Sequence, residues 1–119
     1  DDDDTSLDRI DAVVMRLTDN LAQPISAADI ATELGMSESS FSRFFRRATG
    51  NTFTDFVNRV RLNRACQLLT ESDRLITHIC YEVGFNNVAN FNRRFLEIKG
   101  MTPSDFRKQS EKRFSGASV

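Results

Sequence analysis

Apolar residues recur along this chain at helical spacing, in short blocks divided by glycine, proline or polar breaks. Leu7, Ile10, Val13, Val14, Leu17 and Leu21 predict an amphipathic helix that Thr5 or Ser6 can cap and Pro24 ends. Its acidic front, Asp8 and Asp11, is expected to face away from any anionic partner. Ser26 then caps a short helix, with Asp29 three positions on, where a capping box places Glu or Gln. Ala27, Ile30, Ala31 and Leu34 form its inner face, and Met36 packs inward after the turn. Gly35 breaks the helix and can take the left-handed conformation a tight turn needs. Ser37 caps a third helix, with Glu38 in its first turn, that runs to about Thr49 and stops at Gly50. Helix, glycine turn and helix together make a helix-turn-helix unit.

A longer helix is predicted from Thr54 to Leu69, with apolar positions Phe53, Phe56, Val57, Val60, Ala65, Leu68 and Leu69 and no internal Gly or Pro. At ~1.5 Å per residue it spans about 24 Å, a rod between what precedes and follows it. Glu71-Ser72-Asp73 is a polar break. Thr77 opens a second block in which Ile76, Ile79, Cys80 and Val83 are inward, Gly84 turns and Phe85 anchors. Asn86 or Asn87 caps the next helix, which ends near Lys99-Gly100. Thr102 caps a last helix opened by Pro103, and Phe106 packs back. Arg107, Lys108, Lys112 and Arg113 form a basic end that frays into Ser115–Val119. No useful stretch alternates with period two, so the expected fold class is all-α.

The two blocks are copies. Phe41-Ser42-Arg43-Phe44-Phe45 returns as Phe91-Asn92-Arg93-Arg94-Phe95, fifty residues on. Ile30-Ala31 and Leu34-Gly35-Met36 match Ile79-Cys80 and Val83-Gly84-Phe85 at an offset of forty-nine. Gly50, Thr52 and Phe56 match Gly100, Thr102 and Phe106 at fifty, so the second copy gains one residue between Gly84 and Phe91. Two copies are too few for a solenoid and fit a pair of small subdomains. The expected layout is an acidic tail or linker over 1–6, a first helix-turn-helix subdomain over 7–53, a linking helix over 54–70, a second subdomain over 71–113 and a flexible tail over 114–119.

Composition narrows the chemistry. No apolar run approaches the ~18 residues of a membrane span. The start at four aspartates, without Met, reads as a cut from a longer protein. Cys66 and Cys80 lack metal-ligand spacing, and with His78 they fall short of the four ligands a tetrahedral zinc site needs. They read as core residues or inert thiols, and no metal or cofactor is expected. The net charge of −1 hides an asymmetry: residues 1–36 carry nine acidic and two basic side chains, residues 37–119 eight acidic and fourteen basic. What matters for a nucleic-acid partner is where positive charge clusters, not the total.

It clusters on the repeated helix. In the first copy Phe41, Phe44, Phe45 and Ala48 gather on one side, and Ser39, Ser42, Arg43 and Arg46 on the other. In the second Phe91, Phe95 and Ile98 oppose Ala89, Asn92, Arg93 and Leu96, while Val88 and Leu96 are also open to a packing role. A major groove about 12 Å wide admits a helix; arginine can bind a guanine edge, asparagine an adenine edge, and a small apolar residue a thymine methyl. Arg43 and Arg93 lead the candidates for base contact, followed by Ser39, Ser42, Ala89 and Asn92. Arg46, Arg47 and Arg61 are better placed for phosphates, with Ser37 and Asn87 through their side chains or helix N-terminal N–H groups. The ten phenylalanines could stack single-stranded bases, but their spacing opposite the basic face assigns them to the core.

These motifs resemble the DNA-binding domain of the AraC/XylS family of bacterial transcription regulators. The resemblance covers roughly Leu7 to Arg113 and is most specific at Ile79-x-x-x-Val83-Gly84-Phe85, Phe91-x-Arg93-x-Phe95 and Gly100-Met101-Thr102-Pro103-x-x-Phe106-Arg107. It implies seven helices, two helix-turn-helix subdomains and a linking helix that sets both recognition helices along one face of double-stranded DNA. It places Ser39, Ser42 and Arg43 at the base-reading positions of the first, and Ala89, Asn92 and Arg93 at those of the second. It further implies a cytoplasmic bacterial regulator, an activator by preference, nucleoid-associated when bound. RNA polymerase and an N-terminal effector or dimerisation domain would be its partners, without a membrane. Ser39 stands where some members carry a large aromatic, and Val88 and Ala89 are apolar where others are polar, which leaves the second helix leaning on Arg93 and thymine methyls. The rival reading is a helical protein-interaction module for an acidic partner or RNA polymerase, with Arg43 and Arg93 in ion pairs. One His and no placeable catalytic set argue against an enzyme.

Overall fold

The computed structural model describes the backbone from residue 2 to residue 117 and the side chains from 8 to 113. These residues form α1 (Asp2–Asp19), α2 (Ala27–Glu33), α3 (Glu38–Thr49), α4 (Phe53–Glu71), α5 (Ile76–Glu82), α6 (Val88–Lys99) and α7 (Pro103–Ala117). No strand occurs among the described residues, and the fold is all-α.

The helix ends show where the sequence pattern was too coarse. α1 begins at Asp2, ahead of the start near Leu7, because acidic residues are favourable at the positive end of a helix. With the helix starting at Asp2, Thr5 and Ser6 lie within its first turns and do not cap it; their side chains and that of Leu7 lie outside the described side chains. α1 stops at Asp19, before Leu21 and Pro24. There Asn20 Nδ2 donates to the Arg16 carbonyl at 3.1 Å, and Asn20 N to Leu17 O at 3.3 Å. A short amide side chain that bonds nearby backbone competes with the helical ladder. α5 starts at Ile76 instead of Thr77, and its N-cap Leu75 makes no side-chain bond. α7 continues through Ser115 to Ala117, while Ser118 and Val119 lie outside the described residues.

The chain divides into two compact units, one ending at Val60 and the other beginning at Arg61, so the division falls inside α4. Buried residues along α4 follow helical steps at Phe53 and Val57, and again at Leu62, Ala65, Leu68 and Leu69. The spacing breaks between Val57 and Leu62, because each half of the helix serves a different core. Leu62, fully buried, was absent from the expected apolar set for this reason.

In the first unit Val13 and Leu17 of α1, Ile30 and Ala31 of α2, Phe41 and Phe45 of α3, and Phe53 and Val57 of α4 form one core. The Phe53 ring meets Phe41 and Phe45 edge-on, with centroids 5.5 Å away in each case. Met36 packs against this core as expected. In the second unit Phe85, Phe91, Phe95 and Phe106 form a chain of ring contacts at 5.3, 5.8 and 5.8 Å. Ring pairs of this kind add about 0.5–1.5 kcal/mol each beyond area burial. The phenylalanines flanking Arg43 and Arg93 are fully buried and serve as architecture.

Thr52 and Thr102 start α4 and α7 alike: each hydroxyl accepts from a backbone N–H, that of Asp55 and of Asp105, at 3.1 Å. Arg107 departs from the exposed basic end expected of it. It is half-buried and donates to the carbonyls of Leu69 and Ser72 at 3.1 Å each. Those carbonyls lie at the C-terminus of α4 and just beyond it, where helix geometry leaves acceptors without intrahelical donors. Lys108, Lys112 and Arg113 remain exposed.

Candidate nucleic-acid interface

α3 and α6 are each twelve residues long and bounded by the same devices. At the N-terminus, Ser37 Oγ accepts from Ser40 N at 3.1 Å and Asn87 Oδ1 from Asn90 N at 2.9 Å. At the C-terminus, Gly50 and Gly100 both take φ 78°, and their N–H groups close the last turn on Arg46 O at 2.8 Å and Leu96 O at 2.9 Å. A Cβ at either glycine would meet nothing within 4 Å, so the left-handed backbone, not space, demands glycine there. Of the two candidate caps for α6, the structure selects Asn87.

Burial separates the two faces of each helix. On α3, Phe41 and Phe45 are buried and Phe44 is half-buried, while Ser39, Ser42, Arg43, Arg46 and Arg47 are exposed. Ala48, expected beside the phenylalanines, is exposed; it is Phe53 and Phe56 of α4 that meet Phe45. On α6, Phe91 and Phe95 are buried and Ile98 is half-buried, while Ala89, Asn92 and Arg93 are exposed. Leu96 is 51% exposed and takes no packing role, whereas Val88 is half-buried. The expected base-contact residues Ser39, Ser42 and Arg43 thus share the outer face of α3, and Ala89, Asn92 and Arg93 that of α6.

The two faces differ in electrostatics. Among the described residues, no hydrogen bond or ion pair engages the side chains of Arg43, Arg46 or Arg47. Arg43 and Arg46, with Ser42, Thr52 and Phe53, border a shallow recess of about 210 Å³ whose rim carries two guanidinium groups and two hydroxyls. On α6 the arginine is engaged. Arg93 Nη2 donates to Asn90 Oδ1 at 2.7 Å, and its Nη1 lies 3.9 Å from Glu97 Oε1. Glu97 also takes Arg94 Nη1 at 3.0 Å, and Lys99 Nζ donates to Asn63 Oδ1 at 2.6 Å. Asn90 and Glu97 were not among the expected functional residues; their spacing of three and four from Arg93 was the available signal. Ser37 and Asn87 commit their side-chain oxygens to capping, and burial lowers the pKa of the half-buried Arg61 from its ordinary value.

A family model described as a helix-turn-helix domain matches residues 30–109. The chain belongs to the AraC/XylS family. It is 36% identical over 108 residues to the transcriptional activator RhrA of Rhizobium meliloti, covering 88% of this chain and 34% of that protein. The crystal structure of a Chromobacterium violaceum transcriptional regulator described as AraC-type superposes with a TM-score of 0.82 at 28% identity, covering 89% of this chain and 95% of that one. The DNA-binding domain of AdpA, solved with a target DNA, gives a TM-score of 0.82 at 24% identity, covering 88% and 95%, a likeness of fold. Curated relatives are about three times as long as the chain that matches them. AraC/XylS membership makes this a DNA-binding domain of the transcription-regulator type and not an enzyme. No helix among the described residues is long and apolar enough to cross a membrane.

Proposed function

We propose that this domain binds double-stranded DNA sequence-specifically, with α3 and α6 as recognition helices in successive major-groove segments about 34 Å apart. The observation that carries the reading is the repeated helix frame: two helices of equal length with side-chain N-caps and left-handed glycine stops at matching places, each with a buried aromatic back and an exposed polar, arginine-bearing front. Arg43 and Arg93 are the base readers of first rank, assisted by Ser39, Ser42, Ala89 and Asn92. Arg46, Arg47 and Arg61 hold phosphates, with Ser37 and Asn87 at the helix N-termini; a contact from Asn87 would use Nδ2, since Oδ1 serves the cap. The unengaged arginines of α3 favour it as the stronger reader. The parent protein is an activator, as RhrA is described, working in the bacterial cytoplasm with RNA polymerase and an N-terminal effector or dimerisation domain.

Selection from random duplex DNA, followed by titration across salt concentrations, tests this. One enriched asymmetric or directly repeated site and a steep fall of affinity with salt are expected. Salt-sensitive binding without any enriched sequence would overturn the base-reading assignment.

A further inference from the structure

On the DNA-binding reading above, Glu97 breaks the match between the two recognition helices. At the offset of fifty that relates the helices, Arg43 matches Arg93, but Arg47 is matched by Glu97. The position one turn beyond the repeated arginine has reversed its charge. In α6 this closes a ladder along the outer face: Asn87 Oδ1 takes Asn90 N, Asn90 Oδ1 takes Arg93 Nη2, and Arg93 Nη1 faces Glu97 Oε1. The guanidinium is therefore hydrogen-bonded to its own helix on one side and flanked by a carboxylate at ion-pair distance on the other. Arg94, 21% exposed, adds a second cation to the same carboxylate.

We propose that Glu97 is a specificity-determining residue of the second recognition helix, acting as a positioning residue through Arg93. A phosphate offers an arginine charge but no fixed direction, and a carboxylate beside the arginine competes with it and repels it. A guanine edge offers two acceptors in the geometry a guanidinium fork matches. Arg93 is thus withheld from generic phosphate contact and given up to a base edge that replaces Asn90 and Glu97 as its acceptors. Discrimination by exclusion of the wrong target is how charged interfaces gain specificity. In α3 the arginine at the matching position, Arg47, attracts any duplex instead. At this one position α3 adds affinity for any duplex beside the base reading by Arg43, and α6 trades that affinity for selectivity.

The test compares the unmodified chain with Glu97→Gln and Glu97→Asp on the selected duplex and on a random-sequence duplex. Glu97→Gln is expected to raise affinity for the random duplex roughly twofold to fivefold, the size of an exposed ion pair, and for the selected site by less. The ratio of the two affinities falls, and the salt dependence steepens by up to about one in slope. Glu97→Asp keeps the charge and should keep most of the ratio. In an Arg93→Ala background the effect of Glu97→Gln on the ratio should vanish, since the pair acts as a unit. An unchanged ratio, equal gains on both duplexes, or an effect that survives Arg93→Ala overturns the inference while leaving DNA binding intact. Failure of the unmodified chain to bind any duplex overturns the functional reading itself, and this inference with it.

Discussion

Arg107 Nε donates to the carbonyl oxygen of Leu69 at 3.1 Å, across thirty-eight residues of sequence. Its Nη2 donates to Ser72 O at 3.1 Å, so one guanidinium serves two acceptors where α4 ends. A cation in this place also meets the negative end of the helix dipole. Hydrogen bonds to charged groups contribute about 1.5–3 kcal/mol, so Arg107→Ala should lower unfolding free energy by about that amount. Urea denaturation checks it, and the preferred DNA site should be unchanged. Arg107→Lys should recover only part of the loss, because an ammonium cannot span both carbonyls in the same geometry.

The paired phenylalanines should behave as core in both units. Phe45 and Phe95 are fully buried and each touches further aromatic rings. Phe45→Ala and Phe95→Ala should each destabilise folding by about 3–5 kcal/mol. Thermal and chemical melts measure this; an unchanged melting temperature would remove these residues from the core.

Arg43 and Arg93 stand on the other side of those helices and should leave stability nearly unaltered. Arg43→Ala and Arg93→Ala should each cost about 1–3 kcal/mol at the preferred site and relax the base preference beneath their own helix. Fluorescence anisotropy on single-base variants of the site reads both effects. Losses of equal size on random DNA would make them backbone contacts. On random DNA Arg43→Ala should cost more than Arg93→Ala, since Arg43 has no partner among the described residues.

Cys80 should make the fold lose stability at alkaline pH. Its side chain is fully buried, and burial raises the thiol above its ordinary value of 9.0. The neutral form is favoured in the folded state, so the folded pKa lies above the unfolded one. The associated stability is fully present below the unfolded value and is lost as pH rises through the folded value. Cys66 is also raised by burial, with the charge of Lys99 acting against it. Urea melts from neutral to strongly alkaline pH should show a steeper loss for the unmodified chain than for Cys80→Ala; parallel curves would contradict this.

Much of the fold was legible because repetition supplied a second reading of each signal. Ser37, Asn87 and Thr102 were recognisable as caps from residue type and place, and Gly50 and Gly100 as stops. Thr52 was not expected as a cap, although the match to Thr102 implied it. What stayed hidden depends on contacts between distant segments. The inward turn of Arg107 toward Leu69 leaves no mark in local spacing, since an arginine near a chain end reads as solvated. Leu62 was hidden because no single apolar stripe runs along a helix whose halves belong to different units. At the candidate site recurrence pointed to Arg43 and Arg93, and both are exposed opposite the buried rings. Glu97 carried no such signal, because it stands where the copies disagree.

The matched ends of α3 and α6 bear on how such a domain can change over time. A cap and a left-handed glycine fix where each helix begins and stops, and the buried rings fix which way it faces. The buried rings and the glycines are distinct from Ser39, Ser42, Arg43, Ala89, Asn92, Arg93 and Glu97, although the caps Ser37 and Asn87 are themselves exposed beside them. Substitutions at the outer positions are therefore free of the folding constraint, and each helix can acquire a new vocabulary independently of the other. A duplicated unit built this way can drift toward a new DNA target one helix at a time while the first still holds the old one.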